Sequence, residues 1–515
     1  MFRRDWSVVS ANSDDWSHHA MNWLKICETH QACSTSRDFQ PTRLIDVTNP
    51  DQPRIVSLGP TSMTCRYATL SYVWGQSESY MLTSELLEEM RLGIDRVRIP
   101  RTILDAIQVV HRLGIDYLWV DALCIIQDSS DDKLYELPRM ADIYRQSSLT
   151  IVAASSCSAS EGFLSSPDPP TFFVEPFRIN FSGSDGLSKS LTFGYRQMYK
   201  GTVDPINFRA WTLQERVLSP RLLIFSHTGV MWMCREWYMN LGSSPDAGPP
   251  YLTSLGPESS NEEVDETFIK KKWLTIRAEY TEMDMTYCSD KLSAISALAA
   301  EISRRTGWTY LAGLWEENLF SDLHWRCIKK PSSGQKFPYK SQRVLDAGYL
   351  APSWSWASVG DGMIMDGEDG NQNRQVFDFE ILQCRVIAVG DSTFSFGPVQ
   401  SGFLDVEGRL IQLPWRYDDT DAWDCTYITL LDKDKTSVVG EATPDPLDED
   451  IPPDTQLYCL GMSRFRLGRQ RIIPVEGLIL LPLDDSSTTF RRIGFCRLTC
   501  PSVFDNIIRR RLRIE

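Results

Sequence analysis

Apolar residues form three near-continuous runs in the first third of the chain, and polar or helical sequence follows each of them. The runs are 67–74 (YATLSYVW), 117–126 (YLWVDALCII) and 149–155 (LTIVAAS). Short apolar runs rich in β-branched and aromatic residues are typical of strands that are covered on both faces of a sheet. We therefore predict a buried strand in each run.

Helical periodicity fills the gaps between these runs. Pro100 suits the first turn of a helix, Ile103 and Ile107 lie on its apolar face, and Gly114 is a suitable stop. A second helix is predicted near 133–146. The alternation of strand and helix predicts a parallel, doubly wound α/β sheet.

The remaining sequence suggests how the rest of the chain is organised. Helical patterns follow a stretch rich in Gly, Pro and Ser, and short alternating apolar and polar runs fill the last third. We predict an N-terminal extension packed on the core over 1–60, an α/β domain over 61–240, a loop over 241–263, a helical middle region over 264–365 and a β-rich C-terminal domain over 366–515.

Composition and charge exclude several classes of protein. The 515 residues are 42% hydrophobic and include 16 tryptophans, which is ample for more than one core. A net charge of −15 argues against a large nucleic-acid interface. The N-terminus lacks the apolar segment of a signal peptide, and no window approaches the ~18 apolar residues that span a bilayer. We expect a soluble cytoplasmic protein with neither nucleic acid nor membrane as a partner.

One group of cysteines has spacing that resembles a metal site. Cys27, His30 and Cys33 follow each other at intervals of three residues, among 13 cysteines that show no framework of paired spacings. Zinc sites usually bring a second pair of ligands, and no matching CxxC or HxxxH follows. We therefore favour a structural role without a metal for these residues, and reduced thiols throughout.

The predicted strand ends carry the candidate chemistry. Ligands of open α/β sheets bind beyond the carboxyl ends of the strands. Trp74 and Gly75 follow the first strand, and an acidic stretch follows the second. The residues of that stretch with candidate roles are Asp121, Cys124, Gln127, Asp128 and Glu136.

Glu136 is the first catalytic candidate, with Asp121 as the second. Leu134 and Leu137 lie on one helical face and Glu136 lies off it, so its carboxylate could point into a cleft. Pro138 would disturb a helix running through it, which would leave Glu136 beside a helix N-terminus. The alternative is an acid that the helix dipole favours there, or a plain surface residue.

Each other candidate also has a structural alternative. Asp121 could be a buried carboxylate with a structural partner, and Trp74 with Gly75 could be a nucleotide shelf or part of the core. Cys124 is more typical of a packed thiol than of a nucleophile. Arg209 and Arg221 could bind a pyrophosphate or form internal salt bridges. No GxGxxG or GxxxxGK[ST] phosphate loop is present.

Several motifs, in order along the chain, resemble the fungal heterokaryon-incompatibility (HET) domain family. The strongest are YATLSYVWG at 67–75, YLWVDALCIIQD at 117–128 and RAWTLQERVLSPRLLIF at 209–225. WLKICETHQAC at 23–33 and APSWSWASV at 351–359 extend the resemblance. It covers most of residues 20–365, and the β-rich last third resembles the family less.

The resemblance implies a role in fungal non-self recognition, in which such proteins trigger growth arrest and cell death when genetically different hyphae fuse. It also implies a flavodoxin-like fold related to TIR domains. Several TIR-type domains cleave NAD with a glutamate on the helix that follows the third strand. A carboxylate suits this reaction because the ribosyl carbon becomes positively charged as nicotinamide leaves.

The resemblance leaves the mode of action open. NAD or a related nucleotide would be a substrate, and no cofactor is expected. One alternative is a non-catalytic signalling module that works by self-association or through a separate regulatory protein. Another is an enzyme that uses the same cleft for a different small molecule.

Overall fold

The computed structural model describes the chain in two units, Met1–Ser260 and Asn261–Glu515. The described residues are 15–34, 39–58, 65–75, 80–165, 177–182, 188–193, 204–227, 229–236, 238–240, 265–285, 287–328, 348–360, 362–366, 374–389, 396–417, 428–445, 451–452, 455–465 and 473–515. The predicted loop over 241–263 lies outside them.

The first unit is built on a mixed sheet with a parallel centre. Its strands are β1 (Arg43–Asp46), β2 (Arg54–Ser57), β3 (Tyr67–Ser71), β4 (Tyr117–Trp119), β5 (Leu149–Ala153), β8 (Arg221–Ser226), β9 (Gly229–Cys234) and β10 (Tyr238–Asn240). Their order is β10-β9-β8-β5-β3-β4-β1-β2. Strands β8, β5, β3 and β4 are parallel, and the outer strands pair antiparallel. Strands β6 (Phe177–Ser182) and β7 (Ser188–Phe193) form a separate hairpin.

Helices connect the parallel strands as the sequence predicts. The first unit contains α1 (Asp15–Cys27), α2 (Leu87–Leu92), α3 (Arg101–Arg112), α4 (Asp121–Cys124), α5 (Ser130–Glu136), α6 (Met140–Gln146) and α7 (Trp211–Leu218). Helix α3 lies between β3 and β4, helices α4 to α6 lie between β4 and β5, and α7 precedes β8. The predicted α/β class with a parallel sheet is confirmed, whereas kinship with TIR domains stays a prediction.

Two local predictions need correction. The apolar run 117–126 is a strand only to Trp119, because the backbone then turns into α4 and the amide of Cys124 donates to the carbonyl of Val120. The helix predicted at 133–146 is divided into α5 and α6 by a 3₁₀ turn, Leu137–Arg139. Pro138 lies in that turn, where its missing N–H prevents a continuous α-helix.

The order of the parallel strands identifies the functional edge of the sheet. In chain order β3, β4, β5 and β8 are the first to fourth parallel strands, and their spatial order is second, first, third, fourth. After β3 the chain adds β4 on one side of it and then adds β5 and β8 on the other side. The direction in which strands are added to the sheet therefore reverses at β3. Open sheets bind ligands at such a point, beyond the carboxyl ends of the two strands that flank it, here β3 and β5.

Helix α1 packs against strands β8 and β9 of this sheet. The ring of Trp16 lies 5.3 Å from that of Phe225 on β8, and the ring of Trp23 lies 6.2 Å from that of Trp232 on β9. Both tryptophans of α1 are buried. The N-terminal segment is thus part of the core of the first unit, with β1 and β2 as further strands of its sheet.

The second unit begins with helices and ends in strands. Its helices are α8 (Glu266–Glu282), α9 (Ser293–Thr306) and α10 (Leu319–Asp322), and the strand pairs β11 (Tyr310–Leu311) with β12 (Leu314–Trp315) and β13 (Trp325–Ile328) with β14 (Met363–Asp366) lie in the same region. No helix within the described ranges has both the length and the apolar character needed to cross a bilayer.

The last third of the chain is β-rich, as predicted. Its strands are β15 (Arg374–Val376), β16 (Glu380–Ala388), β17 (Val399–Leu413), β18 (Trp415–Tyr417), β19 (Ile428–Leu431), β20 (Val438–Pro444), β21 (Leu457–Phe465), β22 (Val475–Pro482), β23 (Thr489–Leu498) and β24 (Arg509–Ile514). The pairings β21-β17, β17-β24, β24-β23, β23-β22 and β22-β21 close a ring, which makes a small barrel.

One buried arginine joins this barrel to the segment around β13. The guanidinium of Arg492, on β23, donates to the carbonyls of Leu323 (2.9 Å) and Trp325 (2.6 Å) and to the carboxylate of Asp445 (3.1 Å). It also stacks 3.3 Å from the centroid of the Trp325 ring. Since Arg492 is fully enclosed, its loss would leave several buried acceptors unpaired.

We expect Arg492→Met to lower the free energy of unfolding by about 3–5 kcal/mol, because it leaves the Asp445 carboxyl buried without its partner. Urea denaturation followed by tryptophan fluorescence measures the change. The neighbouring Arg491 is exposed, so Arg491→Met is the matched control and should stay within about 0.5 kcal/mol of wild type. Equal effects of the two substitutions would contradict the structural role of Arg492.

Candidate functional site

A chain of buried hydroxyl groups lies on one face of the parallel sheet. The hydroxyls of Thr69 on β3 and Thr150 on β5 are 2.6 Å apart, and Thr150 is 2.6 Å from the hydroxyl of Ser219. Ser219 in turn donates to the main-chain carbonyl of Glu215 at 2.5 Å. Helix α7 is therefore fixed against β3 and β5 through polar contacts, which is unusual for the interior of a sheet.

Glu215 occupies the middle of α7 and is buried. Burial raises the pKa of Glu215 from its ordinary value of 4.5 to about 8, the nearby Asp121 adds to the rise, and the side chains of Ser71, Arg209 and Arg216 oppose it. A carboxyl group with this pKa holds its proton at neutral pH. Glu215 is therefore an acid that can donate a hydrogen bond or a proton.

Asp121 is the second acid of the site and follows β4 directly. Its Oδ2 accepts from the indole N–H of Trp74 (2.9 Å) and its Oδ1 accepts from the amide of Ala122 (2.7 Å). Burial raises the pKa of Asp121, while Arg209 and these two donors oppose the rise. Arg209 donates to the carbonyl of Tyr72 at 2.8 Å, which places its charge close to both acids.

Two tyrosines complete the site. Burial raises the pKa of Tyr72 and of Tyr144 well above the ordinary value, with Asp121 adding to the rise at Tyr72 and Glu215 at Tyr144. The hydroxyl of Tyr144 donates to the carbonyl of Leu70, at the end of β3. Together these residues form what we name the carboxyl-edge cluster: Tyr72, Trp74, Asp121, Tyr144, Arg209 and Glu215.

The cluster has the composition of an acid–base site. It contains two acids, of which Asp121 raises the pKa of Glu215, together with one cation and one partly exposed aromatic side chain, Trp74. Pairs of carboxyl groups in such surroundings take different protonation states, which is how many enzymes obtain an acid and an anion from similar residues. The cluster also lies at the edge where the strand order predicts a ligand.

Of the predicted site residues, Trp74, Asp121 and Arg209 come together in this cluster. Cys124 lies nearby, but burial raises the pKa of its thiol to about 12, so it is a packed thiol rather than a nucleophile. Gln127 uses its side-chain amide to donate to the carbonyls of Asp121 (3.1 Å) and Ile125 (3.2 Å). It braces the α4 turn that carries Asp121.

Gly75 and Asp128 shape loops around the site. Gly75 has φ +85°, and a Cβ there would lie 2.6 Å from the Cβ of Ser158, so only glycine fits against the segment that follows β5. Asp128 accepts from the amide and hydroxyl of Ser84. The amide of Ser84 lowers the pKa of Asp128, which stays ionised as a loop anchor.

Arg221 lies at the opposite edge of the sheet. It is the first residue of β8, at the amino end of a strand that runs parallel to β5. Its Nε donates to the sulfur of Cys27 at 3.2 Å and its Nη1 to the carbonyl of Ser148 at 3.4 Å. The structure therefore separates Arg221 from Arg209, although both belong to the same sequence motif.

Glu136 belongs to a different group of charges. It is 1% exposed, and its Oε1 lies 3.6 Å from the Nη2 of Arg43, which also contacts Asp132 at 2.5 Å. Burial raises the pKa of Glu136, and Arg43 opposes the rise. Glu136 follows the second parallel strand, whereas Glu215, which was not predicted as a site residue, lies on the helix that follows the third.

The second unit has an open cavity of ≈ 640 Å³. Lys270, Glu316 and Glu317 line it, but the ammonium of Lys270 already donates to the hydroxyl of Ser321 at 2.7 Å. Burial raises the pKa of Cys384, another lining residue, to about 12. The carboxyl-edge cluster, unlike this cavity, lies at the sheet edge where the strand order predicts a ligand, so we place the candidate site in the first unit.

Comparison with known proteins adds one finding. The family model described as Heterokaryon incompatibility protein (HET) matches residues 67–215, which begin with β3 and end at Glu215. All six residues of the carboxyl-edge cluster lie within this range, and Glu215 is its last residue. No curated protein and no solved structure is significantly similar to the chain.

The raised pKa of Glu215 gives a testable pH dependence. Between its ordinary pKa of 4.5 and about 8, the folded protein binds a proton at Glu215 that the unfolded chain releases. The free energy of unfolding therefore falls as the pH rises through this window, by at most about 1.4 kcal/mol per pH unit from this group.

We expect Glu215→Gln to remove this part of the slope, measured as the melting temperature between pH 5 and pH 8. The control is Glu85→Gln, at an exposed glutamate, which should keep the wild-type slope. A Glu215→Gln slope equal to that of wild type would mean that Glu215 is ionised in the folded protein.

Proposed function

We propose that this chain, whose residues 67–215 match the heterokaryon-incompatibility (HET) family model, acts in fungal non-self recognition by cleaving NAD at the nicotinamide glycosidic bond, with growth arrest and cell death as the result. The observation that carries the proposal is the pairing of the buried Glu215 with the partly buried Asp121 at the edge of the sheet where the strand order changes. Buried acids with perturbed pKa values and a specific charged neighbour are candidates for functional sites.

The residues of the cluster fit the charges of this reaction. As the C–N bond breaks, its electron pair leaves with nicotinamide, and the ribosyl carbon becomes positively charged. Asp121, which receives two N–H donors, is the anion that stabilises this carbon and then accepts the proton of the attacking water. Glu215 holds its proton at neutral pH and donates a hydrogen bond to the substrate.

The position of Glu215 agrees with the family resemblance better than that of Glu136. In TIR-type enzymes the glutamate lies on the helix after the third strand, and α7 is the helix that lies between the third and fourth parallel strands here. Arg209 supplies the positive charge that a pyrophosphate needs, and the partly exposed ring of Trp74 offers a surface for a base.

The burial of Glu215 implies that the site needs to open. Glu215 is 6% exposed, so a nucleotide reaches its carboxyl group only after part of the surrounding structure moves. We propose that self-association of the protein opens the site. Activity would then depend on protein concentration, as expected for an effector that is silent until a second copy or a regulatory protein binds.

A non-catalytic signalling module is the second candidate, and one observation favours it. The polar contacts of Asp121 with Trp74 and of Ser219 with Glu215 also fasten α4 and α7 to the sheet. A network that served only this purpose would stabilise a binding surface without any chemistry. A third candidate, an enzyme for another small molecule, would use the same two acids.

The test is NAD consumption by the purified full-length protein at low and high concentration. We expect turnover that increases more than linearly with protein concentration, and a loss of at least about 100-fold in Asp121→Asn and in Glu215→Gln. Glu85→Gln is the control for a neutralised glutamate and should keep wild-type turnover.

Two outcomes would contradict the proposal. Loss of activity in Glu136→Gln together with full activity in Asp121→Asn and Glu215→Gln would move catalysis to the Arg43–Glu136 group. No turnover at any concentration by wild type that self-associates would favour the signalling module. Circular dichroism of each variant establishes that it has folded.

A further inference from the structure

Four potential metal ligands meet at one place in the first unit. The sulfur atoms of Cys27, Cys33 and Cys234 and a ring nitrogen of His30 all lie within 4.8 Å of one another. Three of these residues are close in sequence, and the fourth comes from β9, about two hundred residues later. The sequence offered no second ligand pair, and the fold supplies the missing ligand from a distant strand.

The distances agree with the edges of a metal-centred tetrahedron. The Nδ1 of His30 lies 3.5 Å from the sulfur of Cys234 and 3.9 Å from that of Cys33. Zinc–sulfur bonds of about 2.3 Å and zinc–nitrogen bonds of about 2.0 Å at tetrahedral angles separate sulfur from nitrogen by about 3.5 Å. A zinc ion at the centre would therefore require only small movements of these side chains.

The backbone around the four residues is already held in place. Cys27 is the last residue of α1, and the amide of His30 donates to its carbonyl at 3.1 Å. The amide of Ala32 donates to the Glu236 carboxylate at 2.8 Å, and the guanidinium of Arg235 donates to the carbonyl of Ala32 at 3.1 Å. The turn before Cys33 is thus tied to the residues that follow Cys234.

The charges around the cluster also fit a metal. Three thiolates and a neutral imidazole around Zn²⁺ leave a net charge of −1, which is costly to bury without a cation nearby. Arg221 provides it, since its Nε donates to the sulfur of Cys27 at 3.2 Å and the side chain is buried. Donors of this kind orient and stabilise ligating atoms in metal sites.

We propose that Cys27, His30, Cys33 and Cys234 bind a structural zinc ion. Four protein ligands leave no open position, which is the arrangement of structural rather than catalytic zinc. Three sulfurs and one nitrogen in a tetrahedron suit zinc better than calcium, magnesium or manganese, which prefer oxygen ligands. The ion joins α1 to strand β9, and all four ligands lie outside the matched residues 67–215.

This site explains why the α1 segment belongs to the folded unit. Helix α1 contacts the sheet through Trp16 and Trp23, and the turn after it has few apolar residues of its own. A metal that links Cys27 and Cys33 to Cys234 would hold that turn on the sheet edge. Arg221 then has its role here, at the edge opposite the carboxyl-edge cluster, and not in nucleotide binding.

The first experiment measures the metal content of the full-length protein purified under reducing conditions without chelators. We expect about one zinc per chain by elemental mass spectrometry, and less than about one fifth of that in Cys33→Ser and Cys234→Ser. Cys157→Ser is the control, because Cys157 is an exposed thiol outside the cluster. Zinc retained at wild-type stoichiometry in both cluster variants would overturn the proposal.

A second measurement uses wild-type protein only, so it does not depend on the folding of variants. Replacing the bound metal with cobalt(II) should give the visible and near-ultraviolet absorption of tetrahedral thiolate coordination, and a strong chelator should lower the melting temperature. Wild-type protein that contains no zinc and takes up neither zinc nor cobalt would overturn the proposal. A disulfide among Cys27, Cys33 and Cys234 under the same reducing conditions would overturn it as well.

Discussion

The burial of Glu215 beside the partly buried Asp121, against the centre of a parallel sheet, is the constraint on which the first unit depends. Ionised carboxylates are costly in such a place, so each acid needs a proton, a donor or a cation. Glu215 keeps its proton, Asp121 receives the N–H groups of Trp74 and Ala122, and the charge of Arg209 lowers the pKa of both acids. The position of α7 and the turn after β4 follow from these contacts.

The two edges of the sheet serve different purposes in this account. At the carboxyl edge, the sequence that follows each parallel strand brings acids, a cation and aromatic rings together. At the amino edge, Arg221 contacts the thiol of Cys27, and the four proposed zinc ligands lie beside it. One edge would carry the chemistry, and the other would hold α1 and β9 in the folded unit. The sequence motif 209–225 contributes an arginine to each edge.

Much of the fold could be predicted from local patterns because those patterns have local causes. The apolar runs predict β3 and β5, and Pro100 with the period of Ile103 and Ile107 predicts α3. The strand-end rule led to Asp121 and Trp74, which do lie at the site. Pattern alone could not divide 133–146 correctly, because α5 ends at Glu136 and the chain continues through a short 3₁₀ turn that contains Pro138 into a second helix, α6.

The residues that prediction missed depend on long-range packing. Glu215 stands between Gln214 and Arg216, so it has the local character of a surface residue, and only Trp211 and Leu218 at helical spacing indicate that its face is buried. Cys234 becomes a candidate ligand only because β9 pairs with β8 and thereby lies beside α1. No spacing rule links positions that are two hundred residues apart.

The central claim is that Glu215 is a neutral acid inside the folded protein. Infrared difference spectroscopy between wild type and Glu215→Gln tests it directly, because a protonated carboxyl group absorbs at a higher frequency than a carboxylate. The account predicts a protonated carboxyl band that is absent in the variant, is present at neutral pH and disappears with a midpoint near the pKa of about 8. A carboxylate signal from Glu215 throughout the neutral range would contradict it.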